Sequence, residues 1–175
     1  MFLKGFKEKS NKKYLNKLLS ERHVEVTENK IESLGVILNI DEIDDFELFR
    51  KLANFIKVRP NKLKIIAFSV NKNDHVNAWE ECFHAEDFGW NGTVKNTGLK
   101  SFLDYNFDVL VSYYKHNTLE LKMMTASSKA KFKVGILQTD ERLNDLIIKT
   151  EINEFKVFKS EIFRYLTILN KIKNE

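Results

Sequence analysis

Three consecutive segments near the middle of the chain restrict its fold more than any other feature. They are the β-branched apolar run Phe107-Asp-Val-Leu-Val-Ser-Tyr-Tyr114, a helical stretch from Asn117 to Ser128, and a second apolar run, Lys131-Phe-Lys-Val-Gly-Ile-Leu137. Strand, helix and strand in that order form a βαβ unit. Parallel neighbours need a crossover of about a dozen residues, so the unit predicts a parallel sheet covered on both faces.

The pattern repeats upstream. Ser33-Leu-Gly-Val-Ile-Leu-Asn-Ile40 reads as a doubly covered strand. Asp44 and Asp45 then open a helix to Lys57, with Phe46, Phe49, Leu52, Ala53 and Ile56 on one stripe. Pro60-Asn61 ends the connection before the strand Leu63–Val70. Leu99 to Tyr105 reads as a short helix. Residues 155–173 give the clearest one, with Phe158, Ile162, Tyr165, Leu166, Leu169 and Ile172 on a single face. Other segments are ambiguous: His23–Thr27 fits an edge strand, Val76–Phe83 one or two helical turns, Phe88–Val94 a turn feeding a short strand, and Leu143–Lys149 either helix or strand.

The expectation is an α/β fold: one Rossmann-like, three-layer domain over residues 23–175, with a mostly parallel sheet of about five strands and a long C-terminal helix. At 175 residues without repeats or Pro/Gly/Ser linkers, one core suffices. Residues 1–22 stand apart as a basic amphipathic N-terminal helix. They hold seven basic residues (Lys4, Lys7, Lys9, Lys12, Lys13, Lys17 and Arg22) against two Glu, a net of +5 where the whole chain carries +4. The body is therefore close to neutral, and the alkaline character belongs to the arm. Its Tyr14, Leu15, Leu18 and Leu19 stripe suits docking on the core. Phe2, Leu3 and Phe6 with the lysines suit an anionic membrane surface, and the lysines alone suit an RNA backbone. With 24 Lys to five Arg, bidentate reading of base edges is disfavoured, so no DNA sequence readout is expected.

Motifs for small-molecule chemistry are sparse. The glycines fit neither a dinucleotide loop nor a P-loop. The turn after the first apolar strand, Asn39-Ile-Asp-Glu-Ile-Asp-Asp45, would repel phosphate, so no cofactor is expected there. His75, Cys82, His84 and Asp87 lack the paired spacing of a zinc site, and no metal is expected. Asp41, Glu42, Asp44 and Asp45 lie where open α/β sheets place ligands, and Tyr113 and Tyr114 end their strand at the same rim. Asp41, Asp44, Asp45, Tyr113 and Tyr114 therefore form the expected binding rim. Lys129, Lys131 and Lys133 alternate on one side of a strand start, read as a solvated edge that could also cradle an anion. One cysteine and no long apolar stretch fit the cytoplasm.

The Phe107-Asp-Val-Leu-Val run, its helix and Ala130-Lys-Phe-Lys-Val-Gly135 resemble the N-terminal lobe of family-nine glycosyltransferases, the lipopolysaccharide heptosyltransferases. That resemblance implies a Rossmann-like lobe with a catalytic base at Asp45. The family's Arg falls here on Asn39 and its Gly on Asp44, and its second lobe is missing. The whole chain also resembles an uncharacterised family of small proteins from Flavobacteria and other Bacteroidetes, through Phe107–Tyr114, Ser128–Gly135 and Phe163–Lys171. The expected function is thus a non-catalytic α/β interaction module with a protein partner rather than an enzyme. The alternatives are a small glycosyl- or nucleotide-processing enzyme using Asp45, or an RNA- or membrane-associated protein acting through residues 1–22.

Overall fold

In the computed structural model, which describes residues 1–24, 27–71, 81–116, 118–136 and 140–174, the strand-rich segments assemble around one sheet. Helix α1 (Phe2–Ser20) precedes β1 (Leu34–Asn39), α2 (Glu47–Phe55), β2 (Leu63–Phe68), β3 (Glu81–Phe83) and α3 (Thr97–Asp104). Then follow β4 (Val109–Tyr113), α4 (Leu119–Ser127), β5 (Phe132–Ile136), β6 (Leu146–Ile148) and α5 (Phe155–Ile168). The sheet order is β3-β2-β1-β4-β5-β6, and every pairing is parallel. This is the doubly wound arrangement expected, with six strands rather than about five.

The differences are local. Glu81–Phe83 is a strand, not the end of a helical turn, because it pairs with Ile66–Phe68 at the sheet edge; Val76–Glu80 lie outside the described residues. Leu146–Ile148 resolves to a strand beside Val134–Ile136. Of His23–Thr27, Glu25 and Val26 lie outside the described residues and the rest is not in a strand. Phe88 and Val94 meet in a single antiparallel bridge. Helix α5 stops at Ile168 rather than running to 173, since Asn170 turns left-handed (φ 56°) and the Lys171 N–H donates to Leu166 O at 2.8 Å. That is a Schellman-type ending. Helix α2 stops the same way at Lys57 (φ 63°), with the Val58 N–H on Ala53 O at 2.8 Å.

Strand alternation divides the core. Leu34, Val36, Leu38, Val109, Val111 and Tyr113 face α2 and α5, where Phe49, Leu52, Phe158 and Ile162 are buried. Ile37, Leu110 and Tyr114 face α3 and α4, where Leu99, Phe102, Leu121 and Met124 meet them. Phe49, Tyr113, Phe155 and Phe158 form edge-on ring pairs with centroids 4.9–5.3 Å apart for Phe49–Tyr113, Phe49–Phe155 and Tyr113–Phe158.

Helix α1 lies outside this layer, against α4. Buried Leu15 and Leu19 seat its second half. Asn11 accepts from the Gly92 N–H at 2.9 Å and donates to Gly89 O at 3.0 Å, tying the helix to the 88–94 turn. At Gly92 (φ +70°) the Tyr14 ring occupies the space of a side chain, 2.0 Å from where a Cβ would stand. Only glycine fits that contact.

Candidate functional site

The topological switch lies between β1 and β4, whose carboxyl ends flank the crevice where such sheets usually bind ligands. Here an acid of the loop after β1 is bonded to the loop after β4. The Glu42 carboxylate accepts the backbone N–H groups of Lys115 and His116, each at 2.8 Å, just ahead of α4. Its Oε1 also lies 2.5 Å from His116 Nδ1. An internal carboxylate thus occupies two backbone donors of the loop that leads into α4.

Asp41 is engaged alike: it accepts from Ser69 Oγ and from the Val70 N–H, both at 2.9 Å, joining the loops after β1 and β2. Asp45 accepts from the Glu47 N–H at 3.1 Å and so serves the first turn of α2. Asp44 and Asp45 are both exposed.

The tyrosines correct the expected rim. Tyr113 and Tyr114 are fully buried, so neither lines a surface. The Tyr113 hydroxyl donates to Ile152 O at 2.8 Å, and Tyr114 shares a 2.7 Å bond with Thr125 Oγ1. Burial, with the charge of Glu154 adding, pushes the Tyr113 phenol up to about 12. Because β4 is covered on both faces, consecutive residues enter opposite halves of the core and neither reaches water.

His75 lies outside the described residues, and among those described no group of three or more His, Cys, Asp or Glu could hold a metal. Cys82 is half-buried on β3, and burial, then Asp41 and Asp87, raise its thiol above the usual value. That disfavours a thiolate nucleophile. The His84 N–H donates to Asp87 Oδ2 at 2.8 Å, which is a turn contact.

The opposite edge differs. A cleft of about 810 Å³ opens at the amino ends of β4 and β5, between the end of α1 and the α4–β5 loop. Arg22, His23, Lys129, Lys131 and Lys133 line it, with Glu21 the one acid among its lining residues. Lys129 pairs with Asp104 at 2.8 Å and Lys131 with Asp108 at 2.7 Å. Arg22 donates to Asp145 Oδ1 at 2.5 Å and to Arg142 O at 2.9 Å, latching the arm to the body.

Lys133 overturns the solvated-edge expectation, being only 3% exposed. Alternation does put it on the side of Lys131, but that side passes under α4. Its Nζ donates to Thr125 O at 2.7 Å and Ala126 O at 3.2 Å, carbonyls in the last turn of that helix. Burial depresses the amine to about 7, with the charge of Arg22 adding and Asp145 opposing. The Asp145 oxygens are already held by Arg22 and by the backbone N–H of Lys133, the latter at 2.7 Å.

The arm divides into two halves. Lys12, Lys13 and Lys17 are exposed on the docked half, Lys12 pairing with Glu8. On the first half, Lys4 and Lys9 are exposed and Lys7 is partly covered. Phe2, Leu3 and Phe6 remain 87%, 74% and 60% exposed. Spacings of four, three, four and four put Phe2, Phe6, Lys9, Lys13 and Lys17 on one outer stripe, opposite Asn11, Leu15 and Leu19. No described helix is long and apolar enough to cross a membrane.

No curated protein and no solved structure matches the chain. A family described as "Family of unknown function (DUF6913)" matches residues 7–169, and the chain belongs to that family.

Proposed function

We propose that this protein is a non-catalytic α/β module that docks on an anionic lipid surface, at the cytoplasmic face of a membrane, through the projecting start of α1. The observation carrying this reading is the outer stripe: two bare phenyl rings at the tip of a helix, followed by three exposed lysines, all turned from the body. An apolar tip continuous with a cationic face matches the boundary between acyl chains and anionic headgroups.

Magnitudes favour lipid over RNA. Full burial of a Phe or Leu side chain contributes roughly 1.5–3 kcal/mol, so even half-insertion of Phe2, Leu3 and Phe6 gives a few kcal/mol. Each lysine near an anionic surface adds about 1 kcal/mol. RNA would recruit the lysines but leave Leu3 without a partner, and the stripe has no Arg for planar stacking. The rigid body serves to present the tip, because Arg22, Asn11 and the leucines hold the second half of α1 in place.

Flotation of the full chain with vesicles tests this. Binding to phosphatidylserine-containing vesicles is expected, with little to phosphatidylcholine alone and a steep fall with added salt. A Phe2→Ser/Phe6→Ser variant, altered only at exposed positions, should lose at least about tenfold in partitioning, the equivalent of 1.4 kcal/mol. Binding that survives the double substitution, or binding to single-stranded RNA without binding to vesicles, would remove the lipid reading.

A further inference from the structure

The amino-edge cleft holds a nucleophile that the docking role leaves unused. We propose that Lys133 is a reversible covalent attachment point for a small anionic carbonyl compound, such as an α-keto acid, held in the cleft between the end of α1 and the α4–β5 loop.

Geometry carries the assignment. A neutral amine has two N–H bonds and one lone pair. Thr125 O and Ala126 O accept two N–H bonds from Lys133 Nζ, as many as a neutral amine can donate, and Lys133 also lines the cleft. The carboxylate that could have held the ammonium form, Asp145, is committed to Arg22 and to backbone. An amine near a cation, in a desolvated place, is the recurring setting of Schiff-base lysines. The depression to about 7 agrees with that environment.

The class of ligand follows from the lining. Arg22, His23, Lys129 and Lys131 surround the approach, and the Lys129–Asp104 pair is exposed enough to exchange its partner. The volume, about 810 Å³, lies in the range of small-molecule sites. An anionic group would take Lys129 from Asp104 and rest beside Arg22 and Lys131, which remain paired with Asp145 and Asp108, while its carbonyl carbon meets Nζ.

The chemistry balances without a further reactant. Nζ adds to the carbonyl carbon, forming a C–N bond while the carbonyl π pair moves to oxygen, which takes the proton released by nitrogen. The carbinolamine then loses its hydroxyl with the remaining N–H proton as one water. An imine C=N bond is left, and hydrolysis reverses both steps. Nothing is oxidised or reduced.

The test is reductive trapping on the full chain. Glyoxylate and sodium cyanoborohydride are added at neutral pH, and the modified lysines are located by tandem mass spectrometry. Lys133 should be modified about tenfold faster than the typical rate among the 24 lysines. Propionaldehyde, which has no charge, should lose that preference, and Lys131→Gln should slow trapping by glyoxylate but not by propionaldehyde. Because the lysines compete within the native chain, the result does not depend on a Lys133 variant folding. Labelling spread over exposed lysines with Lys133 no faster would overturn the attachment point. Equal rates for the two aldehydes would overturn the anionic class.

Discussion

The two edges of the sheet solve opposite problems with similar residues. At the carboxyl edge, where a doubly wound sheet conventionally receives its ligand, Asp41 and Glu42 among the described residues are bound by the chain itself, while Asp44 and Asp45 stay exposed. Glu42 closes the switch point on Lys115 and His116, Asp41 joins two loops, and the tyrosines are core. At the amino edge the chain leaves a cleft, and a buried lysine that lines it donates its amine to two helix carbonyls. Charged groups are paired at both edges, Arg22, Lys129 and Lys131 included, so what sets the amino edge apart is its cleft and the buried lysine that lines it.

If the carboxyl edge is structural, truncating it should cost stability. Tyr113→Ala removes a ring in contact with Phe49, Phe155 and Phe158 together with the bond to Ile152 O. The expected loss is about 4 kcal/mol, in the range for large aromatic truncation. Urea denaturation followed by fluorescence measures it. A loss below about 1 kcal/mol would show that the ring is not part of the core and would restore Tyr113 to the rim.

The amino edge should declare itself through pH. Folded Lys133 releases its proton near pH 7, whereas the unfolded lysine keeps it to about 10.5. Between those values the unfolded chain binds more protons, so stability rises with pH and is lost again as pH falls toward 7. Cys82 and Tyr113, both raised, act in the opposite sense above pH 9, so the clean window is pH 7 to 9. At about 1.4 kcal/mol per unit, the contribution there is about 2–3 kcal/mol. Lys133→Met should flatten that slope relative to the native chain. An unchanged slope would mean that Lys133 stays charged when folded, and the contrast between the edges would weaken.

Fold legibility in the sequence tracked how completely each segment is buried. The runs at 33–40 and 107–114 declare strands because β1 and β4 are buried along their whole length, on both faces, whereas β2, part-exposed in its first half, and β5, which carries Lys133, were legible from their apolar residues. The three-residue edge strands β3 and β6 escape, since so short a segment has no period to read and is defined by its neighbour. Helix ends slip because Lys57 and Asn170 turn left-handed without the glycine that normally marks such a stop. Among the site residues, the charge of the arm was legible, while the exposure of Phe2, Leu3 and Phe6 is read from the structure. The burial of Lys133 was not, although its alternation with Lys131 was plain, because what lies above a strand face depends on where the preceding helix ends. Glu42 was named among the acids at that end of the sheet, but its partners went unread for a related reason. Its partners are backbone N–H groups 73 and 74 residues away, and no local pattern announces them.

The smallest effect is also the sharpest test of the comparison. Asp45 is the position at which the transferase-like lobe would carry its base, yet it is exposed and its Oδ1 serves the Glu47 N–H. Asp45→Asn keeps an acceptor at that place and removes only the favourable interaction of a charge with the start of α2. The expected cost is about 0.5 kcal/mol, or roughly 1–2 °C in melting temperature for a chain of this size. The same thermal-shift measurement can be run with nucleotide sugars and divalent cations. If Asp45 only finishes a helix, native and variant chains shift alike, or not at all, whatever is added. A nucleotide sugar that stabilises the native chain and not the Asn variant would instead make the carboxyl edge the working one, since only a ligand held by that carboxylate can couple its binding energy to a single exposed oxygen pair.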